Sequence, residues 1–502
     1  MAWVISIDAG TTSVRSFAVG DDGRPGHVAQ REFTQHFPRP GWVEHDAQEI
    51  WKVTQETLAE VAAALGGEPI AALGITVQRE TIVAWDARSG LPRHSAIVWQ
   101  DRRTADRCDD LEAQGNLDLV RSLTGLVLDP YFSASKIEWL LGPGGVEADD
   151  DLRLGTIDSW LLWNLTGGVV HATDVSNASR TMLLDITTQS WSPELCDLFG
   201  VPVAALPEVL PCSGVFGTTS ADCSAGGGIP IAGMAGDQQS SLFGQACLSP
   251  GMVKNTYGTG SFVLMNVGEQ CPAPTEELLS TIAWTLPGHL LGSPEATVTH
   301  FALEGAIFST GSAVGWLRDG LGILSDAAEC GPLAESVEDT EGVFFVPAFT
   351  GLGSPWWDPR ARATMVGITR GTTRAHVARA VVESMVHQTR DVVDAMSAAS
   401  NKPPEELRVD GGAAVMDLLC QLQADQLGVP VTRASVGETT ALGAAYLAGL
   451  GVGMWADASE VSSTWRADRK FDPSAEKEGV DSSHAMWRRA VARSLDWATE
   501  GA

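Results

Sequence analysis

WVISIDAGTTSVRSFAV, residues Trp3 to Val19, reads as strand, tight turn and strand. Trp3–Asp8 is a short apolar run ending at a carboxylate. Gly10-Thr11-Thr12-Ser13 follows, and Val14–Val19 carries the chain to a second turn at Asp21-Asp22-Gly23. Midway along the chain, Asn255–Asn266 (NTYGTGSFVLMN) repeats the pattern, with Gly258-Thr259-Gly260-Ser261 in place of the first turn. Two such hairpins fit a duplicated domain as well as a chance recurrence of a common Gly/Thr/Ser turn. The intervening Gly-rich stretch Ala221–Ala235 marks a change in organisation.

Helix and strand patterns alternate around these hairpins. Ile50, Thr54, Leu58, Val61 and Leu65 recur at helical spacing, Asp46 and Glu49 form a capping-box start, and Gly66-Gly67 is the stop. Ile70–Val77 is a buried strand leading to Gln78-Arg79-Glu80. In the second half, Thr373–Ser397 is a long amphipathic helix, and Leu407–Asp410 is a strand entering Gly411-Gly412. Val415–Leu427 reads as helix, Thr439–Leu450 as a small-residue helix for close packing, and Ser483–Thr499 as an amphipathic helix with Trp487, Val491, Leu495 and Trp497. The class is α/β.

Composition narrows the function. The chain has 502 residues, 44% hydrophobic and 19% charged, so it holds a large core. Its net charge of −30 opposes nonspecific binding to nucleic acid or anionic lipid. No apolar run approaches the roughly 20 residues of a membrane span, and MAWVISIDAG lacks the basic start of a signal peptide. The eight scattered cysteines, without CxxC, read as reduced thiols of a cytoplasmic protein and provide no zinc spacing.

Three glycine turns, at Gly10, Gly258 and Gly411, each follow a strand and can turn backbone N–H groups onto an anion. Arg15 is placed to add a charged donor to a phosphate. Neither a P-loop nor a GxGxxG after the first strand occurs. Asp8 and Asp237 close apolar strands beside these turns, where a carboxylate suits Mg²⁺ coordination or activation of a hydroxyl. Phosphate donors, a metal-binding carboxylate and an oriented base are the parts of phosphoryl transfer.

These residues resemble the FGGY carbohydrate kinase family over nearly the whole chain. The likeness is carried by DAGTTSVR (8–15), PGWVEHD (40–46), GITVQRET (74–81), AIVWQDRRT (96–104), TGLVLDPYFSASK (124–136), TDVSNASRTM (173–182), AGDQQSSLFGQ (235–245), 254–266, FFVPAFTGLGSPWWDP (344–359) and 442–450. The combination of Arg79-Glu80, Trp99, Tyr131 and Asp237-Gln238 is similar to the glycerol-phosphorylating members. The resemblance implies two actin-like ATPase (ribonuclease H-like) domains, each with a mixed five-stranded sheet flanked by helices, and a cleft between them. Residues 1–247 are expected to bind the polyol and carry the first phosphate hairpin, and residues 248–502 to bind the nucleotide.

The resemblance further implies transfer of the ATP γ-phosphate to glycerol. Glycerol contacts fall on Arg79, Glu80, Trp99, Tyr131, Asp237, Gln238 and Phe262, with Asp237 as general base. Thr11, Thr12, Ser13, Arg15, Thr259, Gly311, Val314, Gly315, Gly412 and Met416 fall at the ATP site, and Asp8 with Asp237 at Mg²⁺. A homodimer or homotetramer is implied. The rivals are another FGGY polyol or ketose kinase and, in a different class, a non-catalytic actin-like ATP-binding sensor. Three positions depart from the family pattern: Ala9 and Gly315 replace glutamines and Met416 an asparagine, so the nucleotide preference is not carried over with the rest.

Control is also expected to differ. Some bacterial members bind fructose 1,6-bisphosphate through a basic loop, which here reads Ala225-Gly226-Gly227-Gly228; others are phosphorylated on a histidine, and none lies between His171 and His289. Kinetic titration with the bisphosphate is expected to show no saturable inhibition; a saturable fall in rate refutes this.

Overall fold

The computed structural model describes residues 1–498. Two large mixed sheets organise the chain. The first contains β1 (Trp3–Ala9), β2 (Ser13–Gly20), β3 (Pro25–Glu32), β4 (Ile70–Val77), β5 (Ser213–Thr218) and β6 (Pro230–Gly236), in the order β5-β6-β4-β1-β2-β3. The second contains β7 (Val253–Tyr257), β8 (Ser261–Gly268), β9 (Leu279–Pro287), β10 (Thr297–Ile307), β11 (Leu407–Asp410), β12 (Val431–Ala434) and β13 (Ala467–Phe471), in the order β9-β10-β8-β7-β11-β12-β13.

Both sheets hold the expected five strands in one shared order. Strands β6-β4-β1-β2-β3 match β12-β11-β7-β8-β10, with parallel pairs on one side of the first strand and antiparallel pairs on the other. The sheets are wider than five strands because β5, β9 and β13 add antiparallel edges. The two hairpins also agree in detail: Gly10–Thr12 link β1 to β2, and Gly258–Gly260 link β7 to β8. The parallel order places Asp8, Arg79 and Asp237 at one end of the first sheet, and Asp410 at the corresponding end of the second.

Helix α1 (Ala47–Ala64) covers the first sheet with the predicted face: Ile50, Thr54, Leu58 and Val61 are all buried. Asp46 caps its start by accepting from the Gln48 N–H, but Glu49 completes no capping box; it accepts instead from the Thr34 hydroxyl. Helix α2 (Asp237–Gly244) continues directly from β6. Helix α3 (Arg374–Ser400) is the long helix, started by a Thr373–His376 capping box. The helix expected over Val415–Leu427 begins later, as α4 (Asp417–Leu427). A 3₁₀ turn at Gly412–Val415 precedes it, and Met416 is extended, with ψ of 110°.

Helix α5 (Thr439–Gly451) leaves the second sheet, crosses α2 and packs on β4 and β6 of the first. Its small residues are a steric necessity. A Cβ on Gly443 would lie 1.9 Å from the Ser240 carbonyl oxygen, and one on Gly244 would lie 2.0 Å from the Thr439 carbonyl oxygen. The Ser240 hydroxyl donates to the Thr440 carbonyl across the same crossing, at 2.7 Å. The final helix α6 (Lys477–Val491) buries Trp487 and Val491, but it ends there: Trp497 lies beyond it, 69% exposed, and Thr499 lies outside the described residues. The eight cysteines are free thiols, and no helix among the described residues is long and apolar enough to cross a membrane.

Gly443→Ala is expected to force α2 and α5 apart at a cost of about 1–3 kcal/mol, lowering the thermal midpoint of so long a chain by roughly 1–3 °C. Gly479→Ala, in open space on α6, should not lower it; equal midpoints for the two variants contradict the crossing as the constraint.

Candidate functional site

The first glycine turn, Gly10–Thr12, is built around its neighbours' side chains. The Trp99 indole donates to the Thr11 hydroxyl at 3.0 Å. Gln30 holds two candidates at once: its amide donates to Ser13 Oγ at 2.9 Å and its oxygen accepts from Arg15 Nη2 at 3.0 Å. Thr12 is left exposed at the tip. In the second turn, Thr259 is exposed, and the loop containing Gly311 is sewn onto it. Gly311 N–H donates to the Gly258 carbonyl and Ser312 N–H to that of Thr259, each at 3.0 Å. A Cβ on Gly311 would come within 2.6 Å of the Gly258 oxygen, so the loops meet backbone to backbone. Val314 faces the core, whereas Gly315 and Gly412 border open space.

Beside Gly412 lies a cavity of ≈ 330 Å³ lined by Asp410, Gly411, Ala414, Val415, Arg433 and Ser435, among others. Gly411 has φ of +87° with the Tyr257 backbone against it, so a side chain fits there neither sterically nor conformationally. Met416 packs toward Gly331 and is not among the cavity's lining residues. Arg433 supports the loop from below, its Nη1 donating to the Ala414 and Val415 carbonyls at 3.0 and 3.2 Å.

The second cluster is a sealed ionic one. Arg79 and Glu80 turn off the end of β4, Glu80 with φ of +64°. Both are buried. Arg79 grips Glu304 of β10 with Nη1 at 2.5 Å and Nη2 at 3.0 Å, while its Nε faces Asp237 at 3.2 Å. Arg180 joins Glu80 through Nε at 2.7 Å and Glu304 through Nη2 at 3.0 Å. Burial works to raise the Glu304 pKa, but the Arg180 and Arg79 guanidinia hold it down at about 2. Glu80, for which burial outweighs the same two arginines, is raised.

Aromatic rings close this cluster. Tyr131 OH lies 3.4 Å from Arg79 Nη2, Trp99 meets Tyr131 edge-on at 5.5 Å, and the Phe262 ring lies 5.8 Å from the Arg79 guanidinium carbon. Lys136 fixes the Tyr131 segment, its buried ammonium donating to the carbonyls of Pro130, Tyr131 and Phe132 at 2.6, 2.7 and 2.9 Å.

Asp237 opens α2 and is 28% exposed, its Oδ1 accepting from the Gln238 N–H. Burial raises its pKa, with Arg79 and Lys254 opposing. Lys254 donates to Gln238 Oε1 at 2.5 Å, which leaves the Gln238 amide nitrogen as the end free to donate elsewhere. Asp8, across β4 from Asp237, is pushed up to about 6 by burial, with Arg15 pulling it down and Asp237 adding to the rise. No group of three His, Cys, Asp or Glu side chains among the described residues is spaced to hold a metal by itself. Two proximal carboxylates do fit Mg²⁺, which binds through one or two carboxylates together with substrate phosphates.

The structure therefore brings Arg79, Glu80, Trp99, Tyr131, Asp237, Gln238 and Phe262 into one connected cluster, and joins it to the first turn through Trp99–Thr11. Sequence reasoning did not single out Glu304, Arg180, Lys254 or Lys136. A lone carboxylate in the apolar run Phe301–Ile307 was the available signal for Glu304; Arg180 lay inside the quoted 173–182 segment.

Known proteins resemble this chain over nearly its whole length. The profile of the FGGY family of carbohydrate kinases matches residues 3–244 with its N-terminal domain and 253–452 with its C-terminal domain. The chain is 52% identical to glycerol kinase 2 of Thermotoga maritima over 503 residues, covering 99% of each. It is likewise 52% identical to glycerol kinase of Dechloromonas aromatica, over 99% of this chain and 98% of that one. Its structure is similar to that of Plasmodium falciparum glycerol kinase with ADP, with a TM-score of 0.92 and 34% identity, covering 99% of this chain and 98% of the other.

Lys136→Met leaves three buried carbonyls without donors and is expected to cost roughly 2–4 kcal/mol. A urea titration should show a lower midpoint at unchanged slope; an unshifted midpoint removes the assigned role.

Proposed function

The chain belongs to the FGGY family of carbohydrate kinases, and we propose that it is an ATP-dependent glycerol kinase, producing sn-glycerol 3-phosphate and ADP. What carries the reading is the sealed Arg79–Glu80 pair meeting Asp237, Tyr131 and Trp99 in a chain half identical, end to end, to glycerol kinases.

In this reading glycerol lies with its hydroxyls on Arg79, Glu80, Tyr131 and Gln238. Glu80, with its pKa raised, accepts from a hydroxyl, and Arg79 donates. The Gln238 amide nitrogen donates as well, because Lys254 occupies its oxygen. Trp99 and Phe262 cover the carbon side and exclude water. A pocket that pairs each hydroxyl disfavours an analogue lacking one by a factor on the order of 10⁴.

Asp237 is the general base. Burial raises its proton affinity, with Arg79 and Lys254 opposing the rise, which is the balance a proton acceptor in a closed pocket needs. It takes the proton of the terminal hydroxyl as that oxygen attacks the γ-phosphorus in line. Thr11, Thr12, Ser13 and Arg15 on one hairpin and Thr259 on the other receive the phosphates, with Gly311, Gly315 and Gly412 around the rest of the nucleotide; Val314, turned into the core, and Met416, packed toward Gly331, support that surface without touching the ligand. Asp8 and Asp237 are the residues that would hold Mg²⁺, whose charge neutralises the phosphate oxygens.

The division at 247/248 serves in this reading as a functional one with exchanges across it: Lys254, Phe262, Glu304 and α5 belong to the second half by sequence, yet the three side chains meet the polyol pocket and α5 packs on the first sheet.

A coupled ADP-release assay is expected to show Mg²⁺-dependent turnover with glycerol and little with xylulose or erythritol. Asp237→Asn should lower kcat by about 10²–10⁴ with the fold retained. A ketose preferred over glycerol refutes the substrate; an unchanged kcat refutes the base.

A further inference from the structure

We propose that Glu304 is a positioning residue for polyol binding: from the second sheet it fixes the two arginines of the first half, so the pocket is complete only while the halves are together. The inference rests on the glycerol kinase reading and extends it to a residue of the opposite half.

Glu304 sits in the middle of β10, with Leu264 of β8 beside it on one side and Leu279 of β9 on the other. It is fully buried in this apolar setting. A carboxylate is sustained there only by charged partners, and its hydrogen bonds run to Arg79 and Arg180. Both arginines come from the first half of the chain. Arg79 follows β4, and Arg180 follows the short helix Val175–Ala178.

Each arginine also has a rival carboxylate. Asp237 lies 3.2 Å from Arg79 Nε, and Glu80 lies 2.7 Å from Arg180 Nε. Glu304 decides between orientations by taking both Nη groups of Arg79 and one of Arg180. A planar fork accepts this two-point grip, and a single contact does not fix its plane. The stem of Arg79 is fixed as well: a Cβ on Gly236 would lie 2.7 Å from Arg79 Cδ. Without Glu304 the two Nη groups of Arg79 keep only Gln239 Oε1 at 3.2 Å and the longer Tyr131 contact at 3.4 Å, while Asp237 and Glu80 both pull at Nε, so the plane of the fork is no longer set. The polyol then loses a placed donor, while the turns at Gly10 and Gly258 keep their own hydrogen bonds.

The test uses full-length Glu304→Gln and Glu304→Asp. The KM for glycerol and for ATP are measured by ADP release, with thermal unfolding as a check on folding. For Glu304→Gln the glycerol KM is expected to rise about 10- to 100-fold, and the ATP KM to stay within about twofold. Glu304→Asp keeps the charge and should recover part of the loss. An unchanged glycerol KM in a folded variant overturns the proposal, as does a parallel rise of both KM values, which marks general loosening. If Glu304→Gln does not fold, Glu304→Asp decides: a glycerol KM equal to wild type overturns the proposal, and a selective rise of about threefold or more supports it. Wild-type protein that leaves glycerol unphosphorylated refutes the function itself, a separate result from either variant's.

Discussion

Four charges closed off from water, Arg79, Arg180, Glu80 and Glu304, are the constraint on which the centre of the molecule depends. An ion taken from water into a protein interior carries a penalty of several kcal/mol, offset only by close and well-oriented opposite charges. Here the offset requires contributions from both sheets. Three of the charges arise in the first half and the fourth in β10, so the sheets must stand at one separation for the network to close. The α2–α5 crossing enforces that separation sterically, with glycines where backbones touch. Ionic pairing and backbone contact act on the same interface from its two sides.

Electrostatics on a small scale differ from the character of the whole chain. A net charge of −30 would repel a polyphosphate. At the centre, though, Arg79, Arg180 and Lys254 are matched by Glu80, Glu304 and Asp237, and Arg15 faces Asp8, which leaves the backbone turns, whose N–H groups carry positive partial charge, as the main donors to an anion. The low dielectric that makes these groups costly also strengthens what they do to a bound anion or a developing alkoxide. Lys254 shows the balance: burial brings its pKa down to about 8, with Asp410 and Asp237 opposing the fall.

Much of the fold was legible because it rests on short-range signals. The hairpin at Gly10, the helix after Asp46 and the strand Ile70–Val77 follow from turn chemistry and hydrophobic period, which neighbours in sequence supply. Boundaries that depend on remote partners were less legible. Glu49 left its cap for Thr34, α4 started late because Gly411-Gly412 entered through a 3₁₀ turn, and α6 stopped before Trp497. The extra strands β5, β9 and β13 add pairing at sheet edges, which no local pattern records.

The site divides in the same way. Sequence alone determined carboxylates at strand ends and glycine turns beside them, because strand, turn and chemical identity are local properties; the Arg79-Glu80 pair with its aromatic companions was singled out by family resemblance. Only the tertiary structure decided that Glu304 reaches Arg79 across 225 positions, that Lys254 turns the Gln238 amide, and that Arg180 shares both glutamates. Those choices come from the meeting of two sheets, and a buried charge takes whichever partner the packing brings within reach.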